Sequence, residues 1–260
     1  MRRFYVEKVK EKDGRFVIQG SEARHISKVL RMRRGDRIIL MDGEGARFEA
    51  VIDSLERGEV GVVITKSLPG PSASPVEITL CQSMLRSGPM DYLIEKTSEL
   101  GVYRIIPFSS ERTVVRLEGD RAEKRRRRWQ EIARSAAKQS GRKKPAGISS
   151  TVSFHDLMDT QRQEEGMKII LWEEEEVKDL KHLLRSLKPA ETFLGVIGPE
   201  GGFSKKEIGI AREAGFMTAS LGNRTLRAET AAITLVAIVQ YEWGDLGVYP
   251  NIAKNLAQKR

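Results

Sequence analysis

The sequence predicts two domains, a small β-rich barrel followed by an α/β unit with a mainly parallel sheet. Three observations carry this. Short β-branched runs separated by glycine turns crowd residues 37–64. Pro69-Gly70-Pro71-Ser72-Ala73-Ser74-Pro75 then breaks all periodicity, as a linker does. Beyond it, strand-length apolar runs alternate with helical segments, the order that builds a parallel sheet covered by helices. At 260 residues the chain has room for two cores, since single cores stop growing near roughly 250–300 residues. The domains are placed at residues 1–70 and 76–260.

In the first domain, residues 25–30 read as a short helix. Arg37-Ile38-Ile39-Leu40-Met41 reads as a strand ending at the turn Asp42-Gly43-Glu44-Gly45. Strands at 47–52 and 60–64 follow, and such close spacing suggests a small barrel. In the second domain, strands are expected at 76–81, 104–106, 168–172 and 192–197. The last of these is the continuous apolar run of a strand buried on both faces. A helix from Asp91 to Leu100 stops at Gly101. Ser204 and Glu207 form a capping box opening a helix through Ala214, and an apolar helix reaches Trp243.

Composition narrows the function. There are 45 Lys+Arg against 36 Asp+Glu, a net charge of +9, which favours a polyanionic partner. Cys81 is the single cysteine, and His25, His155 and His182 are scattered, so neither a disulfide nor a metal site is expected. No apolar run approaches the roughly 20 residues of a membrane helix, and no signal-peptide core follows the N-terminus. A cytoplasmic protein without membrane attachment is expected.

Between Arg121 and Lys144 lie eleven Lys/Arg and two acids, so this segment alone equals the excess of the whole chain. Trp129, Ile132, Ala133, Ala136 and Ala137 fall at helical spacing and give it an inward face. Charge runs are commonly solvated helix faces. Here Arg125, Arg126, Arg127 and, further on, Arg142 are read as RNA contacts, because basic side chains neutralise phosphates and release counterions. A smaller cluster at Arg31, Arg33 and Arg34 is read the same way.

Two loops carry candidate chemistry. Gly198-Pro199-Glu200-Gly201-Gly202-Phe203-Ser204 follows directly on the strand ending at Ile197, where α/β sheets bind ligands. It lacks the Gly-Lys-Ser/Thr ending of a P-loop and the G-x-G-x-x-G spacing of a dinucleotide site. Alone, it reads equally as a glycine turn without a ligand. Ser220-Leu221-Gly222-Asn223-Arg224-Thr225-Leu226-Arg227-Ala228-Glu229-Thr230-Ala231 connects a short strand to the apolar helix. Arg227 and Glu229 flank what looks like a buried helix start. Alone, they read as charge partners of other parts of the protein.

Taken together, these two segments resemble the ribosomal RNA small-subunit methyltransferase E family, of the SPOUT superfamily. The resemblance extends to residues 25–36, similar to that family's PUA-like barrel, and to residues 95–101 and 139–142. The chain departs from the family pattern at Asn223, commonly Pro, and at Ala228, commonly Thr. The resemblance implies a deep trefoil knot, S-adenosylmethionine as cofactor, a homodimer, and methylation of N3 of a uridine in 16S rRNA of the small subunit. It places cofactor contacts at Leu171, Gly198, Pro199, Gly201, Gly202, Leu221, Gly222 and Leu226. Removal of the N3 proton falls to Glu200 or Glu229, with Arg227 stabilising charge on the uracil oxygens. Two rivals stand beside this reading. One is a non-catalytic rRNA-binding assembly protein; the other is a SPOUT methyltransferase acting on transfer RNA or on a ribose hydroxyl.

Overall fold

The computed structural model describes residues 1–6, 14–42, 45–68, 74–115 and 119–247. The chain divides into two units, one of residues 1–73 with 134–145, the other of 74–133 with 146–260. The expected turn at 42–45 and the linker at 69–75 lie partly outside the described residues.

The first unit is a five-stranded sheet. Its strands are β1 (Arg2–Val6), β2 (Arg15–Gln19), β3 (Arg37–Asp42), β4 (Arg47–Glu56) and β5 (Glu59–Leu68), in the order β1-β3-β4-β5-β2. Period-two alternation sends Phe4, Ile18, Ile38, Leu40, Ala50, Ile52, Val60 and Val62 into one core. Register shifts at Glu49/Ala50 and Ile52/Ser54 bend the long β4–β5 pair and increase its twist. The helix expected at residues 25–30 begins earlier. It consists of α1 (Gly20–Arg24) running into a π-helical turn, His25–Val29, and Ile26 plugs the core from it. The strands β1 and β2 were not apparent from the sequence. Residues 134–145, assigned by sequence to the second domain, group with this unit. There the Arg3 guanidinium donates to the carbonyl of Gln139 at 2.7 Å, and the Tyr5 hydroxyl donates to that of Arg142. Both serve carbonyls at or just beyond a helix end, which lack partners of their own. Burial pushes the Tyr5 phenol up to about 12.

The second unit holds β6 (Glu77–Ser83), β7 (Arg104–Ser109), β8 (Gly147–Ile148), β9 (Val152–Ser153), β10 (Met167–Leu171), β11 (Thr192–Ile197) and β12 (Met217–Ala219). The sheet order is β12-β10-β11-β6-β7-β8, with β9 also on β7, and every pair is parallel. Its helices are α2 (Ser87–Glu99), α3 (Gly119–Ser140), α4 (Phe154–Arg162), α5 (Leu180–Ser186), α6 (Lys205–Glu213) and α7 (Ala228–Glu242). Successive β11 residues alternate between two cores: Phe193 and Ile197 face one, Leu194 and Val196 the other. Leucines and alanines of α2, α5 and α7, with Trp129 of α3, fill the first; α4 and α6 cover the second. A strand covered on both faces must be apolar throughout, which is why residues 192–197 read so clearly.

Between β11 and α7 the chain runs out past β10 to form β12 and then returns, with α7 packed on α2, β6 and β11. Gly195 admits this packing: a Cβ there would lie 2.4 Å from a Leu235 methyl. The segment after β10 is stitched to the end of β12 by Trp172 N–H to the Ala219 carbonyl and by Leu180 and Ser220 bonds, all near 3.0 Å. The late strand β12 is thus added outside the earlier β10, before the chain returns to the other side of the sheet order.

Candidate functional site

The carboxyl ends of β10, β11 and β12 stand side by side, and the segment following each lines one cavity of about 900 Å³. A ligand at this end of a parallel sheet is the general expectation for α/β folds. The loop after β11 is fixed from below. Phe203 is buried, stacks 6.3 Å from Phe108 and lies against Gly198, where an added Cβ would meet its ring at 3.1 Å. Glu207 is also buried. It completes the capping box with Ser204 and accepts from the Glu111 amide at 2.9 Å, so residues 110–113 brace this loop. Arg112 adds a bond to the Gly201 carbonyl at 2.8 Å.

The segment after β10 is organised by Glu175. Its carboxylate accepts from the Val177 and Lys178 amides and faces Arg212 at 3.5 Å. A hydrogen bond from Thr218, then these backbone bonds and Arg212, hold it below the usual carboxylate range. The third segment, residues 220–227, turns at Gly222 with φ +98°, and no atom lies within 4 Å of where its Cβ would sit. Gly222 itself lines the cavity.

Of the residues expected to hold a cofactor, Leu171, Gly198, Pro199, Gly202, Leu221, Gly222 and Leu226 line the cavity together. Gly201 does not; its exposed backbone serves Arg112 instead. Glu200, Arg227 and Glu229 are also on the wall. Arg227 is the exposed N-cap residue of α7 and Glu229 sits half-buried in its first turn, so the helix start is less buried than expected. Neither has an ion-pair partner among the described residues. Reading them as mere charge partners therefore loses its basis.

Sequence reasoning missed Arg86, Trp172, Glu173, Glu176 and Arg224 on the same wall. The run Glu173-Glu174-Glu175-Glu176 is acidic throughout. Its signal was positional: it directly follows a parallel strand, as the loop at 198 does.

The basic residues are distributed unevenly. Arg126 and Arg127 both bind Glu123, at 2.8 and 2.9 Å, and these bonds hold its carboxyl down at about 2. Arg125 donates to the Ser87 hydroxyl, and Arg128 pairs with Asp91 at 2.7 Å. In the first unit, Arg34 pairs with Asp53 at 3.2 Å, while Arg31 and Arg33 are exposed. Arg31 adopts φ +49°, the single positive value of a non-glycine among the described residues. Arg142 is half-buried, with its carbonyl on Tyr5.

No group of metal-binding side chains occurs among the described residues, and none of their helices is long and apolar enough to cross a membrane.

Residues 72–240 match the RNA methyltransferase domain family and residues 18–65 the RNA methyltransferase PUA domain family. The chain is 30% identical over 250 residues to the ribosomal RNA small subunit methyltransferase E of Bacillus subtilis, covering 93% of this chain and 97% of that one. Among solved structures it is similar to a ribosomal RNA small subunit methyltransferase E from Neisseria gonorrhoeae bound to S-adenosyl methionine. That match has 36% identity, TM-score 0.83, and coverage of 94% and 99% of the two chains. A putative methyltransferase from Legionella pneumophila with bound cofactor SAM is similar at 31% identity and TM-score 0.86, over 94% and 98%. Both units are thereby accounted for, the curled sheet as a PUA-like domain and the parallel sheet as the RNA methyltransferase domain. With the cavity, the two-unit architecture and end-to-end similarity in agreement, the chain belongs to the ribosomal RNA small subunit methyltransferase E family.

Proposed function

We propose that this protein methylates N3 of a uridine in the 16S rRNA of the small ribosomal subunit, using S-adenosylmethionine, in the cytoplasm and as a homodimer. The observation that carries it is the cavity at three adjacent strand ends, walled by one apolar side, several carboxylates and an unpaired arginine. That wall fits the cofactor. Leu171, Ile197, Leu221 and Leu226 offer apolar contact, and Glu173, Glu176 and Glu200 offset a cationic ligand. Gly222, on that wall, leaves open space where a side chain would begin. When bound, S-adenosylmethionine supplies an electrophilic methyl group on a sulfonium centre.

The chain's own residues supply placement and proton handling. Glu200 or Glu229 takes the proton from uracil N3, a contribution typically worth about 10²–10⁴-fold. Arg227, on the cavity wall, faces the charge that develops on the uracil carbonyl oxygens. Holding the base in line with the methyl donor contributes much of the rest. Arg31 supports rRNA contact by the barrel unit, because a left-handed arginine costs about 1–2 kcal/mol that glycine would not. Support for the homodimer comes from α7: Ile233, Ala237 and Ile238 are only half-buried on a helix apolar all round, a surface that another copy would cover.

The test is transfer of tritiated methyl groups to undermethylated small subunits without added metal, with mass mapping of the product. Incorporation at uridine N3 of 16S rRNA is expected. No incorporation together with no calorimetric cofactor binding would establish the non-catalytic rival, and label in transfer RNA would establish the other.

A further inference from the structure

A second cavity of about 520 Å³ is lined by Ser87, Arg121, Lys124, Arg125 and Arg128. The four cations are spaced i, i+3, i+4 and i+7 and so share one face of α3. Ser87 opens α2, where unsatisfied amides already favour an anion. Beside this face stands Asp91 of α2, held by Arg128 at 2.7 Å and by the Trp129 indole N–H at 3.1 Å. Glu123, with Arg126 and Arg127, projects from a face of α3 roughly half a turn away, so it does not neutralise this cavity. The first turn of α2 also serves both cavities: Arg86 and Pro89 line the larger one, Ser87 the smaller. The two cavities therefore border the same turn at the start of α2.

We infer that the cavity between the starts of α2 and α3 is a cradle for one RNA phosphodiester next to the nucleotide being methylated. The inference rests on the proposed function and sharpens it, because it takes Arg126 and Arg127 out of the contact set and puts Arg121 and Lys124 in. Arginines grip phosphate oxygens in bidentate fashion and lysine adds a point charge. Such bonds set the register of the strand and carry no sequence information. Arg125, already bonded to Ser87, is pre-positioned for the task.

The test compares the full-length protein with three variants: Arg121→Gln/Lys124→Gln/Arg125→Gln, Arg126→Gln/Arg127→Gln, and Ser87→Asp. Binding of undermethylated 16S rRNA is measured across salt concentrations, and cofactor affinity by calorimetry. The triple variant should bind rRNA 10- to 100-fold more weakly. Its log–log salt slope should be shallower by about 0.7–0.9 for each phosphate that the variant no longer neutralises. Cofactor affinity should not change, and the Arg126/Arg127 pair should stay within about threefold of wild type. Ser87→Asp guards against a folding defect, since an acid suits a helix start; it should also weaken rRNA binding by placing a carboxylate in the cradle. Equal losses of affinity in the triple and the pair would replace the cradle with a diffuse basic field. Wild-type affinity and slope in both the triple and Ser87→Asp would also overturn it. If wild type itself neither binds nor methylates rRNA, the proposed function fails instead.

Discussion

Replacing Gly222 separates fold from pocket more cleanly than any other change in the site. The residue sits at φ +98°, a conformation that costs a side-chain-bearing residue about 1–3 kcal/mol. No protein atom lies within 4 Å of the added Cβ, so no steric penalty within the fold joins that strain. For a chain of this size, 1 kcal/mol lowers the thermal midpoint by roughly 2–4 °C. Gly222→Ala and Gly222→Val should therefore both fold, with midpoints lowered by about 2–12 °C. Cofactor affinity should divide them. Valine fills space on the cavity wall, and overpacking of a fitted site costs about 1–3 kcal/mol, or about 5- to 150-fold in Kd. Alanine adds one methyl and should cost less. Calorimetric titration of S-adenosylmethionine into the three proteins reads this directly. Affinity for Gly222→Val equal to wild type would remove the third loop from the cofactor pocket and refute the assignment.

Four further outcomes are expected. Arg227→Ala should lower turnover strongly with rRNA affinity nearly unchanged, and whichever of Glu200→Gln and Glu229→Gln costs about 10²–10⁴-fold in single-turnover rate identifies the base; wild-type rates in both would exclude general-base assistance by either. Gln240→Leu should lose about 2–4 kcal/mol in urea unfolding, because this buried amide donates to the Gly101 carbonyl at 3.3 Å and bonds Ser74 at 3.0 Å, and each stranded partner costs about 1–3 kcal/mol. Tyr5 has its phenol raised from 10.0 to about 12, so its contribution to stability is complete below pH 10 and lost as pH climbs towards 12. Tyr5→Phe should be less stable at pH 8 but should lose less between pH 10 and 12, as thermal midpoints will show.

Much of the fold was legible because the two strongest signals in a sequence both occur here. Residues 193–197 and 169–172 are continuous apolar runs, and β11 and β10 lie inside a sheet covered on both faces. The inward stripe of α3, from Trp129 to Ala137, has helical period and is buried as read. Elements without such signals were missed for equally physical reasons. β8 and β9 are two residues each, too short for any alternation. Within β1, two of the five residues, Arg2 and Arg3, are charged and leave little apolar pattern. The short helix α5 makes barely two turns, and its Asp179 cap resembles any turn residue.

The site was legible in parts, and what joined the parts was not. Leu171, Gly198 and Leu221 are far apart in sequence, and nothing local to any one loop shows that they meet. They meet because β10 lies between β12 and β11, an order that brings three strand ends into one row. A conventional crossover would add each new strand beside the last, and residues 220–229 would then stand away from residues 198–204. The late return of the chain past β10 is therefore what makes the cavity, and with it the juxtaposition of Arg227 with Glu200. The charge run shows the same limit at smaller scale. Four consecutive arginines, 125–128, look equivalent in sequence, yet each step around a helix turns about 100°. Two of them share Glu123, while the other two, Arg125 on Ser87 and Arg128 on Asp91, join Arg121 and Lys124 around a cavity. Net charge points to a polyanion such as RNA; only the arrangement of faces says which side chains meet it.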